Sequence, residues 1–202
     1  MIITFEGIEG SGKSLHIKNV ARHLEKKKIS FIKLREPGGS KNSEKIRKLI
    51  LNKKSNFNKY TDLFLYLAAR SENIEKILVK NYQKKVILID RFTDSTIAYQ
   101  HYGMGISKKI IEYINNYLLK KIKINFTFLN IVNEKNLKKR LLKRKRLNRY
   151  DKFKHAFYKK VQKGFIRQAK QNSNKYLIVN SNLKIEDNKR IIINKINKIL
   201  DI

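Results

Sequence analysis

The strongest constraint on this chain is an eight-residue string near its start, Gly7-Ile8-Glu9-Gly10-Ser11-Gly12-Lys13-Ser14. It is a complete G-x-x-x-x-G-K-S/T motif, set between an apolar run at Ile2 to Phe5 and a helix-periodic stretch from Lys13 to Lys26. A strand before and a helix after are the context that makes such a string a phosphate-binding loop. Its glycines let the backbone turn tightly, so that successive N–H groups and the helix N-terminus face an anion. The motif predicts that residues 7–14 cradle ATP, with Lys13 reaching the β and γ oxygens. The Ser14 hydroxyl then completes a Mg²⁺ shell made otherwise of phosphate oxygens and water.

The rest of the chain repeats the same alternation. Apolar runs near Ile2 to Phe5, Ser30 to Leu34, Val86 to Asp90, Phe126 to Ile131 and Tyr176 to Val179 read as strands. Between them, helical periodicity marks Lys13 to Lys26, Lys59 to Tyr82, Lys108 to Lys121, Glu134 to Lys145, Phe153 to Asn172 and Ile185 to Leu200. This order predicts an α/β protein of P-loop NTPase fold, a five-stranded parallel sheet with helices on both faces. A length of 202 residues suits one domain, 1–202. Pro37, the only proline, falls with Gly38 and Gly39 where a turn is expected. The most basic segment lies between Arg140 and Arg149 and reads as an exposed, mobile element.

Composition narrows the function by exclusion. With no cysteine there is no disulfide or thiolate chemistry, and the four histidines, His16, His23, His101 and His155, have no metal-ligand spacing. No apolar stretch approaches a membrane span and the opening strand is no signal peptide, so a cytoplasmic protein is expected. The net charge of +32 is compatible with nucleic-acid binding. However, Lys, Ile and Asn together make up 87 of the 202 residues, the bias that AT-rich codons produce. The basic residues are mostly Lys spread along the chain, a pattern of solvated faces, and no specific nucleic acid is expected. A guanine-nucleotide switch is excluded as well, because the nearest string to an Asn-Lys-x-Asp base reader, Asn58-Lys59-Tyr60-Thr61, lacks the acid.

Two arginines point to the acceptor. In an open α/β sheet, ligands gather at the carboxyl ends of strands. The third strand ends in Asp90-Arg91, which should face the phosphate loop, and the second ends at Arg35-Glu36-Pro37-Gly38-Gly39, which delivers Arg35 to the same rim. A pair of guanidiniums can hold a phosphate bidentately, or each can serve as a surface ion-pair partner. With the phosphate loop beside them, Arg35 and Arg91 favour an acceptor that is itself a phosphate. A phosphomonoester is largely dianionic at neutral pH and needs no strong base, only cancellation of charge repulsion. Ser14 and Asp90 are the candidate Mg²⁺ ligands, and Lys13, Arg35 and Arg91 the candidate clamp.

Four strings then resemble one family, the bacterial thymidylate kinases, over essentially the whole length. They are Phe5 to Lys13, Arg35-Glu36-Pro37-Gly38-Gly39, Ala68-Ala69-Arg70, and Asp90-Arg91 followed by Ser95, Ala98-Tyr99-Gln100, Gly103 and Gly105. The resemblance implies a nucleoside monophosphate kinase fold, a homodimer, and transfer of phosphate from Mg·ATP to dTMP. It implies that Tyr66 stacks on thymine and that Arg70, four residues on and therefore on the same helix face, bonds a thymine carbonyl. On the residues alone, Tyr66 is equally a core aromatic. By the same likeness Ser95, Thr96 and Gln100 line the base edge and Tyr99 crowds the 2′ position. Glu9 meets the 3′-hydroxyl or orders the cations. Members of the family with glycine inside the phosphate loop, here Gly10, take an arginine from a closing lid, here about residues 140–151. Arg144 is the first candidate, with Arg140, Arg146 and Arg149 behind it. Asn148-Arg149-Tyr150-Asp151 departs from the family's Asp-Arg-x-Glu, and Ser14-Leu15 from its usual hydroxyl pair.

Two rival readings stay open at this level. A deoxynucleoside kinase would phosphorylate a 5′-hydroxyl and need a base, for which Glu36 is available. A nucleic-acid-stimulated ATPase would use the basic surface.

Overall fold

A computed structural model of the chain describes residues 1–143 and 148–202, the side chains of Asp151 and Lys152 excepted. Five strands, β1 (Ile2–Glu6), β2 (Phe31–Arg35), β3 (Val86–Asp90), β4 (Phe126–Ile131) and β5 (Tyr176–Asn180), form one sheet in the order β2-β3-β1-β4-β5. Every pairing is parallel, with Phe5 opposite Asp90 and Phe128. The central strands are buried on both sides, which is why they read as continuous apolar runs. Strand order reverses at β1, whose neighbours β3 and β4 come from later in the chain. That switch point opens a crevice at the carboxyl end of β1.

Alternate residues of β1 face different layers. Ile3 and Phe5 join Ile17, Val20 and Leu24 of α1 (Lys13–Lys26) with Ile192 and Ile196 of the last helix, Ile185–Leu200. On the other side, Ile8 and Leu129 meet Tyr158, Val161 and Phe165 of the helix His155–Gln171. Ile2, Ile87 and Ile89 pack on Ile74, Leu78 and Phe92. None of the described helices is long and apolar enough to cross a membrane.

Strand positions agree with the sequence reading to within a residue, and α1 and Ile185–Leu200 keep both predicted ends. Two helices were not anticipated. The first, α2 (Lys41–Leu51), starts at Ser40, whose hydroxyl accepts from Ser43 N–H, but it buries only Ser43 and Ile50, so its apolar period is weak. The second begins as Thr93–Thr96 and widens into a π-helical stretch, Ile97–Gly103. The long stretch expected from Lys59 to Tyr82 is α3 (Lys59–Asn73), capped by Asn58, then a π turn at Ile74–Leu78 and a short α4 (Val79–Asn81). Numbering onward, α5 is Thr93–Thr96, α6 Lys108–Leu119, α7 Glu134–Leu142, α8 His155–Gln171 and α9 Ile185–Leu200. The predicted extension of α7 to Lys145 lies outside the described residues.

Candidate active site

The loop after β1 has the build its motif predicts. Gly7 sits at φ +134° with its Cα so close to β4 that an added Cβ would lie 2.2 Å from the Asn130 carbonyl oxygen, so no side chain fits there. Gly12, at φ +94°, starts α1 without a side-chain cap, which leaves the helix's first N–H groups for an anion. Lys13 Nζ donates to Gly7 O at 2.9 Å, Ile8 O at 2.9 Å and Ser11 Oγ at 3.4 Å. Burial, and then the nearby Arg91, lower the Lys13 ammonium to about 8 against the pull of Asp90, Glu9 and Glu6. Ser14 Oγ donates to Asp90 Oδ2 at 2.9 Å. These two oxygens face the mouth of an open crevice of about 1110 Å³, lined also by Gly10, Arg47, Arg91 and Arg140. They are hard donors of the kind Mg²⁺ takes. Among the described residues no group of three His, Asp or Glu could hold a metal, so such an ion would depend on nucleotide phosphates for most of its shell.

Arg91 stands between this crevice and a second, inner pocket. Its backbone is left-handed, φ +67°, and the turn is tied to β1 from below. Phe92 N–H and Ser95 Oγ both donate to Glu6, at 2.7 Å and 2.6 Å. The Arg91 guanidinium donates to Gly7 O at 2.8 Å and to Glu9 at 3.1 Å, and lies 5.2 Å over the Tyr99 ring. Burial would lift the Glu9 carboxyl, but Arg91, Lys13 and the Tyr99 hydroxyl together hold it below the usual range. Tyr99 OH donates to the other Glu9 oxygen in a short hydrogen bond. For Glu6 the balance goes the other way. Burial, and then Asp94, push it up to about 7, with the hydrogen bonds from Ser95 and Phe92 and the charge of Arg91 opposing the rise.

The inner pocket, about 320 Å³, is where six of the predicted acceptor residues meet: Tyr66, Arg70, Ser95, Thr96, Tyr99 and Gln100, with Arg91 at the rim. Arg70 is 1% exposed. Its Nε donates to Glu36 at 2.8 Å and its Nη1 to Thr96 Oγ1 at 2.9 Å and Asn115 Oδ1 at 2.7 Å. Asn73 Nδ2 reaches the second Glu36 oxygen at 3.3 Å, so both oxygens of that carboxylate are engaged. Burial raises the Glu36 carboxyl while Arg70 opposes the rise.

Arg35 stands apart from this group. Its side chain is 56% exposed, paired with Glu44 at 3.1 Å, and lines neither cavity. The second guanidinium at the crevice belongs instead to Arg47, whose Nη1 donates to Pro37 O and which desolvation and Arg35 hold below the usual arginine range. Sequence reasoning missed Arg47 because it missed α2; the Ser40 cap followed by Ile46, Leu49 and Ile50 was the available signal. From the lid segment, Arg140 donates to Gly10 O at 2.9 Å and Ser181 O at 2.6 Å, placing its head over the phosphate loop. Arg149, in a 3₁₀ turn at Arg149–Lys152, binds Asp62 on α3 instead. Arg144, the first lid candidate, and Arg146 lie outside the described residues.

A phosphate loop at the switch point of a five-stranded parallel sheet, facing a rim arginine and a second pocket beyond it, defines the class of P-loop nucleoside monophosphate kinases. Comparison with known proteins narrows this. The thymidylate kinase family model matches residues 5–192. Thymidylate kinase from Acholeplasma laidlawii is 35% identical over 202 residues, covering 98% of this chain and 99% of that one. The Staphylococcus epidermidis thymidylate kinase is 36% identical over 186 residues, 91% of each chain. The crystal structure of thymidylate kinase from Ehrlichia chaffeensis superposes with a TM-score of 0.79 at 30% identity, covering 98% of both chains. The chain belongs to the thymidylate kinase family.

Proposed function

We propose that this chain, acting as one domain, transfers the γ-phosphoryl group of Mg·ATP to the 5′-phosphate of dTMP, giving dTDP and ADP. The observation that carries this reading is the meeting of Tyr66, Arg70, Thr96 and Gln100 in one pocket that shares Arg91 and Glu9 with the phosphate crevice. A base in the inner pocket would direct its 5′-phosphate back past Arg91 toward Lys13.

An oxygen of the dTMP phosphate attacks Pγ, the bond from Pγ to the bridging oxygen of ADP breaks, and no proton needs to move because the acceptor is already dianionic. Arg91 and Arg47 offset repulsion between the two anions; Arg47 takes the place that sequence reasoning reserved for Arg35. Lys13 turns from the loop carbonyls to the β and γ oxygens, gaining anionic partners that hold it protonated. Arg140, already over Gly10, follows the transferring group, with Arg144 the further lid candidate. Ser14 and Asp90 would hold Mg²⁺ from the protein side, and the ion would supply charge neutralisation to the triphosphate. Tyr66 forms one wall for the thymine ring, Arg70 the donor to its carbonyl, and Tyr99, fixed by Glu9, the block beside the sugar.

A cytoplasmic homodimer is part of the same reading. Tyr60 and Phe64 on α3 and Ile110, Tyr113 and Tyr117 on α6 are all exposed on two helices in mutual contact, with Tyr113 at 74%. Exposed apolar side chains on neighbouring helices are what a second copy would cover. Light scattering during gel filtration should give twice the chain mass.

The function is tested by ADP release with dTMP as acceptor, beside thymidine. Turnover with dTMP and little with thymidine is expected; the reverse order would move the chain to the nucleoside kinases.

A further inference from the structure

Asp62 belongs to none of the motifs discussed above, yet it is 1% exposed and three side chains donate to it. Arg149 binds its Oδ1, Tyr150 OH reaches Oδ2 at 2.6 Å, and Gln100 Nε2 reaches the same Oδ2 at 3.3 Å. Gln100 lines the inner pocket and is itself 1% exposed.

A carboxylate only accepts hydrogen bonds, so it decides which end of a neighbouring amide faces it. With Nε2 turned to Asp62, Gln100 keeps its carbonyl Oε1 for the pocket. A flipped amide would set two oxygens against each other in a buried site. No hydrogen bond among the described residues uses Gln100 Oε1. Across the pocket, Arg70 commits Nε and Nη1 to Glu36, Thr96 and Asn115, and no hydrogen bond among the described residues uses its Nη2. Gln100 Oε1 therefore offers the pocket an acceptor and Arg70 Nη2 a donor. Thymine and uracil present the complement, an N3–H donor beside a C4 carbonyl acceptor. Cytosine presents the reverse, an N3 acceptor beside an amino donor.

We propose that Asp62 is a positioning residue for base specificity: by fixing the Gln100 amide it makes the pocket accept a 4-oxo pyrimidine monophosphate and refuse a 4-amino one. The inference rests on the dTMP reading above. The same carboxylate carries Tyr150 and Arg149 of the lid segment, so the base edge and the lid share one anchor.

The test compares kcat/KM for dTMP, dUMP and dCMP with saturating Mg·ATP, in the wild type, Asp62→Asn and Gln100→Leu. An asparagine at 62 can meet either orientation of Gln100. The dTMP-to-dCMP ratio should therefore fall by at least about tenfold, as expected when a site built for one hydrogen-bond pattern loses its bias. The dTMP-to-dUMP ratio should stay within about twofold, because those bases share the edge and differ by a methyl group. General damage to the fold would lower all three substrates together and leave both ratios in place. An unchanged dTMP-to-dCMP ratio in an active Asp62→Asn variant overturns the assignment. Should that variant not fold, Gln100→Leu, which leaves Asp62 its lid partners, must show the same collapse of the ratio, and its failure to do so overturns the assignment equally. A wild type that turns over none of the three monophosphates overturns both this inference and the function on which it rests.

Discussion

Around the inner pocket most polar groups are already in use: Arg70 makes three hydrogen bonds, Glu36 uses both oxygens, and Asp62 accepts from three donors. In the adjoining phosphate crevice, which shares Glu9 and Arg91 with that pocket, Lys13 is folded onto its own loop, and the space is the larger of the two. The difference teaches how the two substrates are handled. A small, uncharged base edge gives little binding energy, so the groups that read it are pre-ordered by buried partners. A triphosphate brings its own charge and metal, so the cradle needs only glycine turns and a helix end, and the cations move to it.

The sharpest way to break this contrast is to remove Arg70. Arg70→Ala leaves Glu36 a buried, unpaired carboxylate, and loss of one partner from a buried pair costs about 3–5 kcal/mol of stability. Thermal unfolding should show a large drop in Tm, partly recovered in the double variant Arg70→Leu/Glu36→Leu. The equivalent deletion at the rim should act on rate. Arg91→Ala is expected to lower kcat by about 10²–10³-fold, the effect of one oxyanion-type donor, with a much smaller change in Tm than Arg70→Ala. Near-normal turnover in this variant would remove Arg91 from the clamp.

A third prediction concerns pH. Glu6 sits at about 7 in the folded chain against an ordinary 4.5, so between these values the folded state holds a proton that the unfolded state has released. Its share of stability is therefore present below about pH 4.5, is lost as pH rises to about 7, and stays lost above. Glu6→Gln, which keeps the shape and an acceptor for Phe92 N–H, should be more stable than wild type at pH 8 by about 1–3 kcal/mol and no more stable at pH 4.5. Denaturant melts at the two pH values check it. The smallest effect is expected at Arg35. An exposed pair such as Arg35–Glu44 contributes at most about 1 kcal/mol, so Arg35→Ala should leave Tm nearly unchanged and kcat far less altered than Arg47→Ala. A larger loss from Arg35→Ala than from Arg47→Ala would restore Arg35 to the clamp.

How far the sequence carried this picture depended on the kind of signal. The strands, the ends of α1 and α9, and residues 7–14 were legible because burial on both faces and a motif in its proper context are local features. Tyr66, Arg70, Thr96, Tyr99 and Gln100 were placed by family likeness, and the structure gathers them around one cavity. Arg47 escaped because α2 buries so few residues that its period is faint, and Arg35 was preferred for its position at the end of β2, where its side chain in fact turns outward to Glu44. Glu6 and Asp62 were illegible for a different reason. The partners of Glu6 are Phe92 and Ser95 and those of Asp62 are Gln100, Arg149 and Tyr150, and only the folded topology brings those groups to a buried carboxylate.

The most direct measurement is ADP formation by the purified protein with Mg·ATP and, in separate reactions, dTMP, thymidine, dUMP, dCMP, AMP and GMP. The account predicts the highest kcat/KM with dTMP, lower turnover with dUMP, and little with the remaining four. Preference for thymidine, or ADP release that rises only when polynucleotide is added, would contradict it.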